Sequence, residues 1–415
     1  MTAIAEKQIP ARLTFSMYQT VILGILAFLQ FTVIMDFQII SPMGAIVMPA
    51  LHISPHQFSL AVSAYAFSAA IAGISAAGFA DRFDRKRLLL FFYGGFLLGT
   101  AFCALAPSYH FLLLARVVTG LFGGVISSIV LAIATDLFPL EMRGRVMGFI
   151  QTAFAAAQVL GLPAGIYFAN VWSWHAPFVA IVLIGLVAGL VIVLFVKPID
   201  GHLKLKQEHS PWSHLVHTLL DPRYTLAFIV TAFMNVGGYL MMPFQSAFLV
   251  HNVGRPITDL PIIYVISGLS AVIVGPTVGK ISDRFGKLRT FLVGTALMCV
   301  MVVIWTNLGP TPLPFVIITN VVMFMGIFSR LIPFQAMMSA VPEVTQRGAF
   351  NGISSSLQQL SGGLASVIAG TIIVQTSTGE LRHFNWLGYF MVVLGVTGAA
   401  LVWLVRRGVP ERLAR

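Results

Sequence analysis

The sequence predicts an all-α integral membrane protein of twelve spanning helices in two pseudo-symmetric bundles of six. Three observations predict it. Hydrophobic residues make up 58% of the 415-residue chain and charged residues only 9%, against about 25% charged in a soluble domain. Apolar segments of the roughly 20 residues needed to cross a bilayer fill nearly the whole length. The phrase Asp81-Arg82-Phe83, with a basic flank, returns 202 residues later as Asp283-Arg284-Phe285, each copy in a short gap between apolar segments. A period of half the chain marks a duplicated unit.

The spans read in order as 18–47, 56–80, 88–106, 110–135, 145–169 and 175–197, then 224–250, 259–281, 289–307, 313–340, 348–376 and 385–405. Proline, glycine and charge mark the breaks, as at Ser54-Pro55, Phe138-Pro139, Asp221-Pro222 and Val341-Pro342. Ser54-Pro55-His56-Gln57 also reads as a helix start, with a capping serine, proline at the first position and glutamine three residues after the cap. This divides the chain into an N-terminal bundle 1–197, a cytoplasmic linker 198–223 and a C-terminal bundle 224–415. The polar first dozen residues run into a long apolar segment with no small-residue cleavage site, which predicts an uncleaved first span. Cys103 and Cys299 fall inside spans and read as small apolar residues.

Basic residues fix the orientation. With both termini cytoplasmic, 21 of the 25 lysines and arginines lie in inside segments, leaving Arg255 and Arg382 outside and Arg116 and Arg330 within spans. The net charge of +11 is therefore a topology signal, and nucleic-acid binding is not expected. Four linker histidines, His202, His209, His214 and His217, match no closed metal set. The linker reads as a solvated connection, and no metal or cofactor is expected.

Further motifs repeat at nearly one offset. Arg143-Gly144 with Gly148 returns as Arg347-Gly348 with Gly352, and Trp174 to Phe178 returns as Trp386 to Phe390. With the Gly279-to-Arg289 loop, Arg116-Val117-Val118-Thr119-Gly120 in span four and Gly161-Leu162-Pro163-Ala164-Gly165 in span five, the whole chain resembles the major facilitator superfamily, specifically its twelve-helix proton-coupled efflux members. The first-half loop departs from the pattern, with Ala77 at the leading glycine and Asp84 at the second. The span-five motif resembles the Gly-x-Pro-x-Gly form of sugar-efflux and chloramphenicol-efflux-like members. The resemblance implies a monomer in the inner membrane that works by alternating access, with spans 1, 4, 7 and 10 lining the cavity. It also implies that Asp81, Arg82, Asp283, Arg284 and Gly286 form loops that stabilise one conformation.

Deep inside the spans stand one acid, Asp36, and two strong bases, Arg116 and Arg330. A charge near the bilayer centre costs about 2.5–3.5 kcal/mol or more on insertion scales, so each needs a partner, a watery cavity or a task. Asp36 suits proton binding and release, against a purely structural salt bridge. Arg116 reads as its coupling partner, against an interfacial arginine that snorkels. Arg330 reads as a contact for a polar or anionic solute, against a snorkel to the cytoplasmic face. Tyr65, Gln158, Asn235, Tyr239, Gln245, Gln335 and Gln358 are the expected uncharged cavity residues, with Tyr264 and aromatics such as Phe31, Phe154, Phe244, Phe248 and Phe334 beside them. Such a cavity suits apolar or amphipathic solutes better than sugars.

No nucleophile-base set and no phosphate-cradling loop occurs in the sequence, so neither an enzyme nor ATP-driven transport is expected. The leading expectation is export of a small, largely apolar compound in exchange for protons. The alternatives are proton-coupled uptake of an organic anion held by Arg116 and Arg330, and a non-transporting membrane receptor or assembly partner.

Overall fold

The computed structural model describes residues 15–76, 82–200, 203, 211–343 and 346–408. The first half holds α1 (Met17–Ile39), α2 (Gly44–Leu51), α3 (Pro55–Ala76), α4 (Arg85–Ala104), α5 (Tyr109–Leu137), α6 (Leu140–Ala156), α7 (Leu162–Val171) and α8 (Ala176–Phe195). A connecting helix, α9 (Pro211–Leu220), leads to the second half: α10 (Pro222–Tyr239), α11 (Gln245–His251), α12 (Leu260–Phe285), α13 (Lys287–Thr306), α14 (Leu313–Ser339), α15 (Arg347–Ile372) and α16 (Phe384–Gly408). Ten spans are long and apolar enough to cross a membrane by themselves. The other two are the α10–α11 pair, split at 240–244, and α15, which carries Ser354, Ser355, Ser356, Gln358 and Gln359. The arrangement is the twelve-span, two-bundle architecture expected from the sequence.

Helix starts follow local chemistry. At α3, Gln57 N donates to Ser54 Oγ at 3.2 Å and Ser54 N donates to Gln57 Oε1 at 3.0 Å, a reciprocal capping box. Ser16 and Gln19 make the same pair at the start of α1. Three spans are interrupted. The first has a tight 3₁₀ turn at Ser41–Met43, with Pro42 inside it, between α1 and α2. The fifth carries a π-helical turn, Ala157–Gly161, just before Pro163. The seventh breaks around Pro243. Proline removes a backbone donor, and such turns recur at functional positions in helices.

The eleventh span ends earlier than the sequence reading placed it. Helix α15 stops at Ile372, and the chain turns into a short antiparallel hairpin, β1 (Val374–Gln375) and β2 (Leu381–Arg382). The Asn252 side chain fixes the hairpin by pairing with both the N–H and the C=O of Leu381 at 3.0 Å each.

Within the first half, α3 and α4 pack on α5, and α1 on α6 and α8; in the second, α13 packs on α14 and α16, and α10 on α15 and α16. The halves meet along α3 and α15, α7 and α12, and α2 and α11. Towards the hairpin end they are tied by Ala45 N donating to Ser246 Oγ at 3.3 Å, Ser366 Oγ donating to the Ser59 carbonyl at 3.1 Å and Asn170 Nδ2 donating to the Ile257 carbonyl at 3.1 Å. Gly44 lets the chain close here, since a Cβ would lie 2.8 Å from the Pro243 carbonyl oxygen.

Towards the other end, where α12 passes α6, the seam opens. Gly268, Gly275 and Gly279 share one face of α12 by helical spacing. At Gly268 a Cβ would lie 2.8 Å from the Gln158 carbonyl oxygen, whereas at Gly275 and Gly279 nothing among the described residues stands within 4 Å. About 10 Å along the helix, at 1.5 Å per residue, backbone contact has become open space.

Candidate functional site

The deepest charges of the first half meet. Arg116 Nη1 donates to Asp36 Oδ2 at 2.9 Å and to the Asp36 backbone carbonyl at 3.3 Å, and both side chains are completely buried. Thr100 Oγ1 donates to Asp36 Oδ1 at 3.1 Å. The Arg116 guanidinium lies 4.6 Å from the centre of the Tyr65 ring, a cation–π distance. Among the described residues its Nε and Nη2 have no hydrogen-bond partner. Arg116 therefore does not snorkel. It is held between α1, α3 and α4 by one carboxylate, one carbonyl and one aromatic face.

Phe37, the residue after Asp36, connects this pair to open space. Its ring lies 5.3 Å from that of Tyr65 and 6.3 Å from that of Tyr239 in the second half. Phe37 and Tyr239 face a small cavity, with room for about one water molecule, lined also by Ser41, Val62, Ala66, Met242, Pro243, Gly362 and Ser366. The fold family led to an expectation of spans 1, 4, 7 and 10 as the lining. The small space beside Phe37 lies between spans 1, 2, 7 and 11 and is a different feature from that lining; on its first-half side α5 approaches α3 so closely that a Cβ on Gly120 would overlap Ser68 Oγ and the Tyr65 carbonyl.

Of the uncharged residues expected in the cavity, Tyr239 lines it. Tyr65 stands one layer behind, under Arg116. Gln158 Nε2 donates to Gln38 Oε1 at 2.9 Å, beside the α7–α12 seam. Asn235 Nδ2 donates to the Thr231 carbonyl of its own helix. Gln245 Nε2 donates to Asn320 Oδ1 at 3.3 Å, and Asn320 Nδ2 donates to Ser267 Oγ at 2.6 Å, a buried amide network across three spans. Gln358 is half-buried and Gln335 exposed.

Arg330 is 5% exposed and faces away from the cavity. Its Nη2 donates to the Met234 carbonyl at 3.0 Å, one turn before the end of α10, and its Nη1 lies 2.8 Å from Met298 Sδ. It sits where the carbonyls of a broken helix concentrate negative potential.

The two charged loops differ. In the second half Gly286 ends α12 with φ at +96°, a conformation that favours glycine, while Asp283 and Arg284 are exposed. In the first half Asp84 stands at the equivalent place with φ at −55° and caps α4: its Oδ1 accepts from Arg87 N at 2.8 Å and its Oδ2 from Ile199 N at 2.7 Å. Its departure from glycine is thus a change of turn, with a side-chain cap replacing a positive φ. Beside it Arg85 Nε pairs with Asp136 Oδ2 at 3.1 Å. Arg82 is exposed, and Asp81 lies outside the described residues.

The chain matches the Major Facilitator Superfamily over residues 26–329 and 227–415. Among relatives it is 22% identical over 373 residues to the uncharacterized MFS-type transporter YceJ of Bacillus subtilis, covering 88% of this chain and 91% of that protein. It is 34% identical to Multidrug resistance protein 3 of the same organism over 146 residues, 35% of this chain and 28% of that protein. Among solved structures it resembles a bacterial homolog of the human lysosomal transporter Spinster in an inward-facing, occupied conformation, with a TM-score of 0.77 and 17% identity over 97% of this chain and 99% of that one. It also resembles a D-xylose-proton symporter, with a TM-score of 0.75 and 15% identity over 96% of this chain and 99% of that one. With a matching sequence family, a matching fold and a buried charge pair beside a cavity between two helical halves, this chain is a multi-pass membrane transporter and belongs to the major facilitator superfamily.

Proposed function

We propose that the protein exports small, largely apolar or amphipathic compounds in exchange for protons. The observation that carries the reading is the Asp36–Arg116 pair, completely buried and one aromatic layer from the cavity. Arginine keeps its proton under all ordinary conditions, so Asp36 is the member of the pair that can titrate. A proton arriving on Asp36 removes the ion pair and leaves Arg116 without the carboxylate that engages it among the described residues. The guanidinium must then find other acceptors, and moving it moves Tyr65, which stacks on it. Tyr65 in turn bears on Phe37, a wall of the cavity. Substrate and proton thus act on opposite faces of one aromatic layer and oppose each other. This competition is what exchange requires, because a ligand shifts a conformational equilibrium only by its different affinity for the two states.

In this reading both termini are cytoplasmic and the protein works as a monomer in the plasma membrane. Its bundles comprise 1–197 and 224–415, with 198–223 as the linker. The hairpin end is the outer face, so the open seam beside Gly275 faces inwards. Multidrug-named relatives favour export. Anion uptake is favoured by neither arginine: Arg116 is engaged by Asp36, and Arg330 is turned to Met234.

The test is proton flux in liposomes holding the purified protein under a pH gradient. Addition of a transported compound should release protons in the native protein and not in Asp36→Asn. Equal flux in that variant, once it is shown to be folded, overturns the coupling assignment. Accumulation of the compound with the proton, not against it, overturns export.

A further inference from the structure

The two oxygens of the Asp36 carboxylate are held in different ways. Oδ2 faces Arg116 Nη1 at 2.9 Å, a group that only donates. Oδ1 faces the Thr100 hydroxyl at 3.1 Å, and a hydroxyl can donate or accept. The same hydroxyl stands 2.9 Å from the Phe96 carbonyl, one turn back on α4. Thr231 on α10 and Thr295 on α13 make the same kind of bond to the carbonyl four residues back, at 2.8 Å each. Thr100 differs in having a carboxylate as a second acceptor. Its single proton can serve only one of the two at a time. Asp36, Thr100 and Arg116 are all 0% exposed, so bulk water does not complete a bond that the side chains leave unmade.

Two acceptors let Thr100 reverse its role with the charge of Asp36. When the carboxylate is ionised, the hydroxyl donates to Oδ1. The Phe96 carbonyl, inside α4, still accepts the helical N–H four residues on. When a proton from solvent binds Oδ1, one O–H bond forms and none breaks. The new O–H donates to Thr100 Oγ1, and the Thr100 proton, still on its own oxygen, turns to the Phe96 carbonyl. Both hydroxyl protons then have acceptors. Oδ2 offers no such exchange: a proton there would point at the Arg116 N–H, donor against donor, in a buried place where an unmade hydrogen bond is costly. We propose that Oδ1 is the atom of Asp36 that carries the exchanged proton, and that Thr100 is the positioning residue that receives it. The proposal rests on the proton-exchange reading above and deepens it by naming the atom and its partner. Arg116 then loses the charge of its partner before it loses the oxygen.

Infrared difference spectra of the purified protein across a pH step read the acid directly. The C=O stretch of protonated Asp36 is the band missing from Asp36→Asn and from the Asp36→Leu, Arg116→Met double variant. Thr100→Val keeps the side-chain shape and removes the hydroxyl. There the band should move to higher wavenumber, because the acid O–H has lost its acceptor, and Thr100→Ser should bring it back. Thr100→Ala takes the place of the valine variant if that one does not fold. A band that stays in place without the hydroxyl overturns the proposal, and so does one that shifts equally in Thr100→Ser. In liposomes, proton release driven by tetraphenylphosphonium or by a panel of neutral aromatic amides and phenols should fall about tenfold in Thr100→Val, the factor for losing one hydrogen bond to a charged group, and recover in Thr100→Ser. The two measurements fail separately. A shifted band in a protein from which no compound of the panel releases protons keeps Oδ1 as the place of the proton and refutes the exchange. Release that depends on Asp36, with the band unmoved in Thr100→Val, keeps the exchange and refutes the assignment to Oδ1.

Discussion

Removing the acid of the buried pair should harm this protein more than removing the base. In Asp36→Asn the guanidinium of Arg116 stays charged, with 0% of its side chain exposed and two of its nitrogens already unpartnered. Arginine cannot discard its proton, so the uncompensated charge remains; breaking a buried pair in this way typically costs about 3–5 kcal/mol. In Arg116→Met the remaining carboxylic acid can take a proton and become neutral, and Thr100 still reaches it at 3.1 Å. That variant should lose clearly less, about 1–3 kcal/mol for a group with an imperfect set of partners. Combining Asp36→Leu with Arg116→Met removes both charges and should recover much of the loss, since apolar replacement of a buried pair is often near neutral. The assay is thermal unfolding of the purified proteins in detergent across pH, analysed as a double-mutant cycle. Equal losses in the two single variants, with an additive double variant, would refute the argument, because they would mean that the two charges do not depend on each other.

Three further outcomes follow from other sites. Arg330→Met should cost no more than about 2 kcal/mol, the upper range for a cation at a helix C-terminus, with Arg330→Lys recovering part of it; a loss in melting experiments as large as that of Asp36→Asn would mean Arg330 has an acidic partner. Gly268→Leu should destabilise by about 1–3 kcal/mol by forcing α12 off the Gln158 backbone, whereas Gly275→Leu should leave melting within about 0.5 kcal/mol and still abolish transport by blocking closure of the seam; equal melting losses would contradict the open seam. The carboxyl of Asp221, at the head of α10, is held below the usual carboxylate range by hydrogen bonds from the Arg223 side chain and backbone. A depressed carboxylate stabilises above its unfolded value of about 3.9 and loses that contribution as pH falls through its folded value. Melting of Asp221→Asn should therefore converge with that of the native protein below about pH 4, and a gap that widens there would reverse the sign.

What the sequence disclosed and what it concealed have physical causes. Charges in apolar spans are rare enough to see one by one, so Asp36 and Arg116 were legible before any contact was known. The Ser54–Gln57 cap was legible because its four-residue spacing is local. The interruption at Ser41–Met43 was not, because the apolar run continues through it and composition does not register a change of helical pitch. The hairpin after Ile372 was absorbed into span eleven for the same reason. Gln245, Asn320 and Ser267 lie on three different spans, and only folding brings them together. The side-chain direction of Arg330 was equally out of reach, since its position within span ten does not say which face of α14 it occupies.

The amide network also explains why a duplicated chain can be asymmetric in its chemistry. Tyr65 and Ser267 are 202 residues apart, Arg116 and Asn320 204, and Asp36 and Gln245 209, close to the offsets of the repeated loops. Each trio joins the first, second and fourth spans of its own half around a buried polar centre. In the first half the centre is an ion pair with an aromatic floor; in the second it is two amides and a hydroxyl. Amides and hydroxyls keep their hydrogen-bonding character from acid to neutral pH, whereas a carboxylate does not. Gln245 begins α11, and the next residue, Ser246, accepts the Ala45 N–H across the closed end. The second half therefore presents its side of the closure on a network that pH does not touch. On the proposed mechanism, protonation acts on one half alone, through Asp36, and the other half serves as the fixed surface against which it moves.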